Sequence, residues 1–291
     1  MARLRRGGAA GRPRRLCEPA AALRRAGGIL KSRILVAVPG VIAAIVAVVL
    51  GGPLFVAVML ALAGLALTEL YSLTAASRPL RWAGYTGAGL VIVLAWLHDN
   101  PEHGLLIGLT MSLILIAVAA LMLPRRDDVT TRIAVTALGV VYIGMPLATL
   151  AITRELPHGA QAVTNVLVGV WVFDTASFIG GRLWGRRPIA PITSPRKTVE
   201  GALVGLVSAT LGVWVAGLYM DWINGWQSLL LGLAICPAAF IGDLFESLLK
   251  RDVGAKDSGR ILLGHGGVLD RFDAMLFAAP VAYVLTVALV Y

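Results

Sequence analysis

GDLFESLLKRDVGAKDSGRILLGHGGVLDRFD, residues 242–273, is the stretch on which the reading of this chain turns. It gathers Asp243, Glu246, Lys250, Arg251, Asp252, Lys256, Asp257, Arg260, His265, Asp270, Arg271 and Asp273 in a chain that is 58% hydrophobic and only 14% charged. Ionisable groups inside a bilayer are costly to hold there, so a charged run in such a chain marks a functional site.

The spacing sharpens this. If a helix runs up to Leu249, then Asp243, Glu246, Ser247 and Lys250 share one face, at i, i+3, i+4 and i+7. Asp270 and Asp273 share a face of the next helix. The loop between carries Gly254, Gly259, Gly264, Gly266 and Gly267, which permit positive φ and close approach of backbone N–H groups to an anion. Two carboxylate-bearing faces are thus expected to meet across a phosphate-cradling loop. Carboxylate oxygens suit Mg²⁺, which takes one or two of them and fills its shell with water and phosphate oxygens.

Working outward, the apolar composition predicts an all-α, polytopic integral membrane protein. A spanning helix needs about 20 apolar residues, and such stretches fall near 34–51, 53–73, 82–97, 104–123, 133–152, 164–181, 199–219, 226–249 and 271–290, nine in all. Basic residues favour the cytoplasmic side of short loops. With the N-terminus inside, 25 of the 26 Lys and Arg fall on that side, and only Arg154 lies outside. The net charge of +10 therefore reads as a topology signal and calls for no nucleic-acid partner. Three regions follow: a basic, disordered cytoplasmic tail over 1–33, about five transmembrane helices over 34–152, and a catalytic transmembrane region over 164–291. The tail also has the charge to touch anionic headgroups and the composition of a transit peptide. Cys17 and Cys236 form no disulfide or zinc pattern. Trp82, Tyr85, Trp96, Trp171 and Trp226 sit near span ends, as an aromatic belt does. Glu69, near the cytoplasmic end of the second span, reads as a residue reaching into the headgroup layer, with a place in the site as the alternative.

The second informative stretch is DTASFIGGRLWGRRPIAPITSPRKTVEG, residues 174–201. Asp174, Ser177 and Gly181 share a helical face, and Gly180, Gly181 and Gly185 allow close helix contact. Pro188, Pro191 and Pro195 then shape an inner loop that cannot continue the helix. Ser194, Lys197, Thr198 and Glu200 stand at the start of the next helix, where free N–H groups attract anions. The glycines at 180 and 185 have Walker A spacing, but Arg186-Arg187 replaces the Lys-Ser/Thr that a P-loop requires.

Ser247, Lys250-Arg251, Lys256-Asp257, His265-Gly266-Gly267, Asp270-Arg271 and Asp273 together closely resemble the signature of the phosphatidate cytidylyltransferases, the CDP-diacylglycerol synthases. Ser194-Pro195-Arg196-Lys197-Thr198, followed by Glu200-Gly201, resembles a second element of that family, with Arg196 for a Lys. Leu263 departs from the usual Pro or Gly. The resemblance has motif strength over roughly 165–280 and rests on hydropathy alone before that. It implies condensation of CTP with phosphatidic acid to CDP-diacylglycerol and pyrophosphate, in phospholipid biosynthesis at the inner membrane, with the active site facing the cytoplasm.

On this basis Asp243, Asp270, Asp273, Lys256, His265 and Arg271 are expected to be catalytic, with Asp243 and Asp270 as the metal ligands. Asp174, Ser194, Lys197, Thr198, Glu200, Ser247, Lys250, Arg251, Asp257, Gly266 and Gly267 are expected to bind substrate. The expected cofactor is Mg²⁺, with a second, monovalent cation as a further expectation. The expected partners are CTP, phosphatidic acid, membrane lipids and a second copy of the chain as a homodimer. The rival reading is a transporter in which Asp174, Asp243, Glu246 and Asp270 form a proton or cation relay. A relay has little use for Lys256-Asp257 and His265-Gly266-Gly267 in a glycine-rich loop, and no inverted repeat is visible.

Overall fold

The computed structural model describes residue 40 and residues 42–259 and 266–291. The expectations for the basic tail, for most of the first span, and for Arg260, Leu263, Gly264 and His265 lie outside the described residues. Residues 42–50 are helical. Eight long helices follow: α1 Gly52–Leu73, α2 Arg81–Leu97, α3 Pro101–Leu121, α4 Val129–Glu155, α5 Gly159–Trp184, α6 Val199–Gly217, α7 Gly225–Asp252 and α8 Leu269–Val290. Among the described residues seven of these are long and apolar enough to cross a membrane, and α2 is shorter at 17 residues. The chain is thus an all-α polytopic membrane protein, while the expected count of nine spans is not reproduced among those residues.

Local chemistry sets the element ends. α1 and α3 begin with a proline in the first turn, where a missing N–H costs nothing. Asn100 caps α3 by accepting from the Glu102 and His103 N–H groups at 3.2 Å. Asn224 and Gln227 form a capping box at α7. Within α4, residues Val140–Gly144 form a π turn that ends two residues before Pro146. Proline cannot donate to the carbonyl four residues back and its ring crowds that group, so the wider turn accommodates it. α7 ends in a Schellman motif: Gly254 takes φ +70°, its N–H donates to the Arg251 carbonyl at 3.0 Å, and the Ala255 N–H donates to that of Lys250 at 2.8 Å.

α2 and α3 form an antiparallel pair packed on α1 and α4, with Tyr71, Ile92 and Ile143 fully buried among them. α5, α6 and α7 pack in sequence, and α8 lies against α7 while also touching α4 and α5, which joins the two halves. One close helix approach serves the site: a Cβ on Gly201 of α6 would stand 2.7 Å from the Ser177 carbonyl oxygen and 2.9 Å from Gly181 Cα on α5. Only glycine lets these backbones meet. Between α5 and α6 the sequence makes a small antiparallel hairpin, β1 Pro188–Ala190 with β2 Ser194–Thr198, registered Pro188 to Thr198 and Ala190 to Ser194. The proline-shaped loop is therefore a hairpin.

Trp82, Trp171 and Trp226 are exposed, as a belt requires, whereas the Tyr85 ring packs edge-on against Tyr71. Arg154, the one basic residue expected in an outer loop, lies in the last turn of α4. Its guanidinium donates to the carbonyls of Val48 and Val49, the latter at 2.9 Å, at the end of the preceding helical segment. A cation there satisfies carbonyls that the helix leaves unpaired and complements the negative end of its dipole.

Arg154→Met is expected to lower stability by about 1.5–3 kcal/mol, the range for hydrogen bonds to a charged group. A thermal scan in detergent reads this as a lower midpoint, with activity per folded molecule unchanged.

Candidate active site

The hairpin is held at its base and at its turn. Thr198 caps α6, its hydroxyl accepting from the Gly201 N–H at 3.2 Å. Glu200, in the first turn of the same helix, turns its carboxylate back to accept from the Arg186 N–H at 2.9 Å and the Arg187 N–H at 3.2 Å. At the turn, Arg251 from the end of α7 donates to the Thr193 carbonyl at 3.3 Å and to the Ala255 carbonyl at 3.2 Å. Glu200 and Arg251, expected to bind substrate, thus have visible structural work in placing the hairpin. Two of Arg251's five donors are used in this way.

Between the hairpin, α5, α6 and α7 opens a cavity of about 660 Å³. Asp174 and Arg182 face it from α5, Ser194, Arg196, Lys197 and Thr198 from the hairpin, and Asp243 from α7, with Phe173, Phe178 and Phe240 forming apolar wall. Lys197 crosses it: its ammonium lies 2.6 Å from Asp243 Oδ2 and 5.6 Å from the centre of the Phe240 ring. The two informative stretches of sequence, some fifty residues apart, therefore meet at one ion pair.

Alongside it, α7 and α8 share a half-buried cation. Lys250 Nζ lies 2.5 Å from Glu246 Oε2, one turn back on α7, and 2.6 Å from Asp270 Oδ1 on α8. Glu246 is 1% exposed. The face predicted for α7 exists, and its Lys250 is neutralised by carboxylates from both helices. Asp273, one turn on from Asp270, is buried and accepts from the Ala274 N–H at 2.7 Å. Ser247 is half-buried on α7, and Arg271 is exposed at the start of α8.

Part of the glycine-rich segment is turned toward the protein itself. Four of its N–H groups hold carboxylates of the protein: those of Ser258 and Gly267 donate to Asp270 Oδ2 at 3.0 and 2.8 Å, and those of Val268 and Leu269 donate to Glu69 at 2.9 and 2.8 Å. Such amides cannot simultaneously cradle a phosphate. Gly254 and Gly266 have positive φ, at 70° and 82°, but Gly259 and Gly267 do not. Lys256 and Asp257 are exposed on this segment. Glu69 is 3% exposed, so the reading that sent it into the headgroup layer is corrected. The available signal was an acidic residue inside an otherwise apolar helix; its partners, some 200 positions away, had no local signature.

Among the described residues no group of three or more His, Cys, Asp or Glu side chains is gathered for a metal ion. The donor chemistry nevertheless fits Mg²⁺, which needs only one or two carboxylates and retains water. The Asp243 side chain is 34% exposed beside the cavity, with Oδ2 on Lys197. Asp270 Oδ1 meets Lys250, and its Oδ2 accepts from two amides, so Oδ1 is the oxygen with acceptor capacity left.

A sequence model of the cytidylyltransferase family matches residues 31–289. The chain is 32% identical to the phosphatidate cytidylyltransferase of Staphylococcus saprophyticus over 266 residues, covering 89% of this chain and 99% of that protein. It is 34% identical to that of Brucella suis over 211 residues, 72% of this chain and 74% of the relative. Over a shorter span of 124 residues, 42% of this chain and 45% of the relative, identity to the Helicobacter pylori phosphatidate cytidylyltransferase reaches 51%.

Lys250→Met would leave the Glu246 and Asp270 carboxylates without their shared cation. The expected cost is roughly 3–5 kcal/mol, the range for breaking a buried pair by removing one partner. Denaturant titration in detergent should show it, and a Lys250 variant as stable as wild type would contradict the pairing.

Proposed function

The chain belongs to the cytidylyltransferase family, and from that premise we propose that it is a phosphatidate cytidylyltransferase that condenses CTP with phosphatidate to give CDP-diacylglycerol and pyrophosphate. The observation that carries this reading is the match over residues 31–289 to the cytidylyltransferase family, together with a cavity that the motif residues Ser194, Lys197 and Thr198 line beside Asp243. An oxygen of the lipid phosphate attacks the α-phosphorus of CTP, and the bond to pyrophosphate breaks in line. No protein nucleophile takes part, so the work of the side chains is positioning and charge neutralisation.

Lys197 and Arg196 supply positive charge at the hairpin wall, where a triphosphate and a phosphomonoester must approach each other against mutual repulsion. Lys197 exchanges its contact with Asp243 for phosphate as substrate enters. Lys250 stays between Glu246 and Asp270 and holds the latter in place. Arg251 and Glu200 keep the hairpin over the cavity, and Arg271 and Lys256 add charge at its edge. Asp243 and Asp270 would hold Mg²⁺, which when bound shields phosphate charge and polarises the phosphoryl group under attack. Asp273, buried one turn below Asp270, supports that end of α8.

The cavity faces the cytoplasm. Supporting this, 25 of the 26 basic residues fall on the side of the hairpin and of the segment between α7 and α8. The substrates demand such a position: each CH₂ of an acyl chain is worth about 0.8 kcal/mol in the membrane, while a triphosphate stays in water.

Purified protein given phosphatidate, CTP and Mg²⁺ should release labelled CDP-diacylglycerol, and Asp243→Asn should lower kcat by at least about 100-fold, as expected for lost transition-state stabilisation. Near-normal turnover in that variant would remove Asp243 from the mechanism. Cysteines placed at Ile192, 92% exposed at the hairpin turn, and at Asp252 should react with an impermeant thiol reagent only in inside-out vesicles. Labelling of both in intact cells would reverse the orientation.

A further inference from the structure

Glu69 sits near the end of α1, in the half of the chain that carries none of the signature motifs, yet among the described residues its side-chain hydrogen bonds all reach the catalytic half. Oε1 accepts from the Val268 N–H at 2.9 Å, and Oε2 accepts from the Leu269 N–H at 2.8 Å and the Ser258 hydroxyl at 3.2 Å. The carboxylate is buried, and among the described residues no cation lies within ion-pairing distance. Its charge is met by amides and one hydroxyl. Both amides belong to the start of α8, whose unpaired N–H groups and positive dipole end stabilise an anion.

The same loop residues also hold Asp270. Ser258 gives its hydroxyl to Glu69 and its N–H to Asp270, while Gly267 gives its N–H to Asp270 and leads directly into the two amides on Glu69. Close approach explains two glycines that need no special φ: a Cβ would stand 2.5 Å from Glu69 Oε1 at Gly259 and within van der Waals overlap of Glu69 Oε2 and the Ser258 hydroxyl at Gly267. Residues 258–259 and 267–269 of the connection between α7 and α8 are therefore moulded around one carboxylate from a distant helix.

We propose that Glu69 is a positioning residue for the cytidylyl transfer: it caps α8 from outside the helix and pins residues 258 and 267–269, so that Asp270 is presented at a fixed height beside Lys250. It touches no substrate. This deepens the proposed function and rests on it for its kinetic arm. Glutamine at 69 offers one acceptor where the site has three donors, and its NH₂ faces N–H groups. Aspartate keeps the charge but falls one methylene short.

The test uses the full chain in detergent, with amide hydrogen exchange read by mass spectrometry alongside steady-state kinetics. In Glu69→Gln, exchange over 255–259 and 266–270 should quicken at least tenfold while α2 and α3 keep wild-type protection. The kcat should fall about 10- to 100-fold with KM for CTP within about threefold, the signature of a misplaced group and not of a lost contact. Glu69→Asp should recover part of kcat, and Ser258→Ala, which removes one of the three bonds, should fall between wild type and Glu69→Gln in both readouts. Unchanged exchange in Glu69→Gln, acceleration spread evenly over all helices, a kcat within twofold of wild type, or a loss lying wholly in KM would each overturn the proposal. If wild-type protein makes no CDP-diacylglycerol the proposed function fails, and the exchange pattern still decides whether Glu69 clamps this loop.

Discussion

A charge taken out of water must find a partner of opposite sign or a set of oriented dipoles, and most of the architecture around the cavity satisfies that requirement. Lys250 lies between Glu246 and Asp270, Lys197 is paired with Asp243, and Glu69 rests on amides and a hydroxyl. Each pairing joins elements that are separate in sequence: α7 to α8, the hairpin to α7, and α1 to the loop before α8. The charges that define the site therefore also tie it together. A buried pair adds little net stability compared with apolar packing, but leaving one member alone is expensive, which makes these links demanding about geometry.

The arrangement suits chemistry in which the protein supplies no covalent partner. Two anions must be brought together, and what a protein can contribute is fixed positive charge, oriented dipoles and rigid placement. The hairpin carries Arg196 and Lys197 and is itself fixed at both ends, by Glu200 at its base and Arg251 at its turn. Gly201 brings α6 against α5 so that Asp174 and Thr198 face the same space. A proton or cation relay would require carboxylates exposed to a continuous path. Here Glu246 and Asp270 are engaged by Lys250, and family membership leaves the transporter reading without support.

Membrane residence and family membership were legible in the linear chain for physical reasons. Apolar runs long enough to span are local properties, and so is the i, i+3, i+7 spacing that puts Asp243, Glu246 and Lys250 on one helix face. The motif stretches 174–201 and 242–273 are contiguous, so their residue types and spacing identified the chemistry and the family before any contact was known. Proline at 188, 191 and 195 correctly stopped the helix, although nothing local required the strand pairing that followed.

Only the tertiary structure decided which charge faces which. Glycine content was read as room for phosphate, whereas Gly259 and Gly267 make room for the side chain of Glu69, nearly 200 residues earlier. Arg154 was assigned by charge counting to an outer loop, and its guanidinium closes the end of a helix about a hundred residues before it. Side-chain spacing along one element determines which groups share a face. Which face it meets depends on how separate helices pack, and that is set by small-residue contacts and buried ion pairs spread across the whole chain.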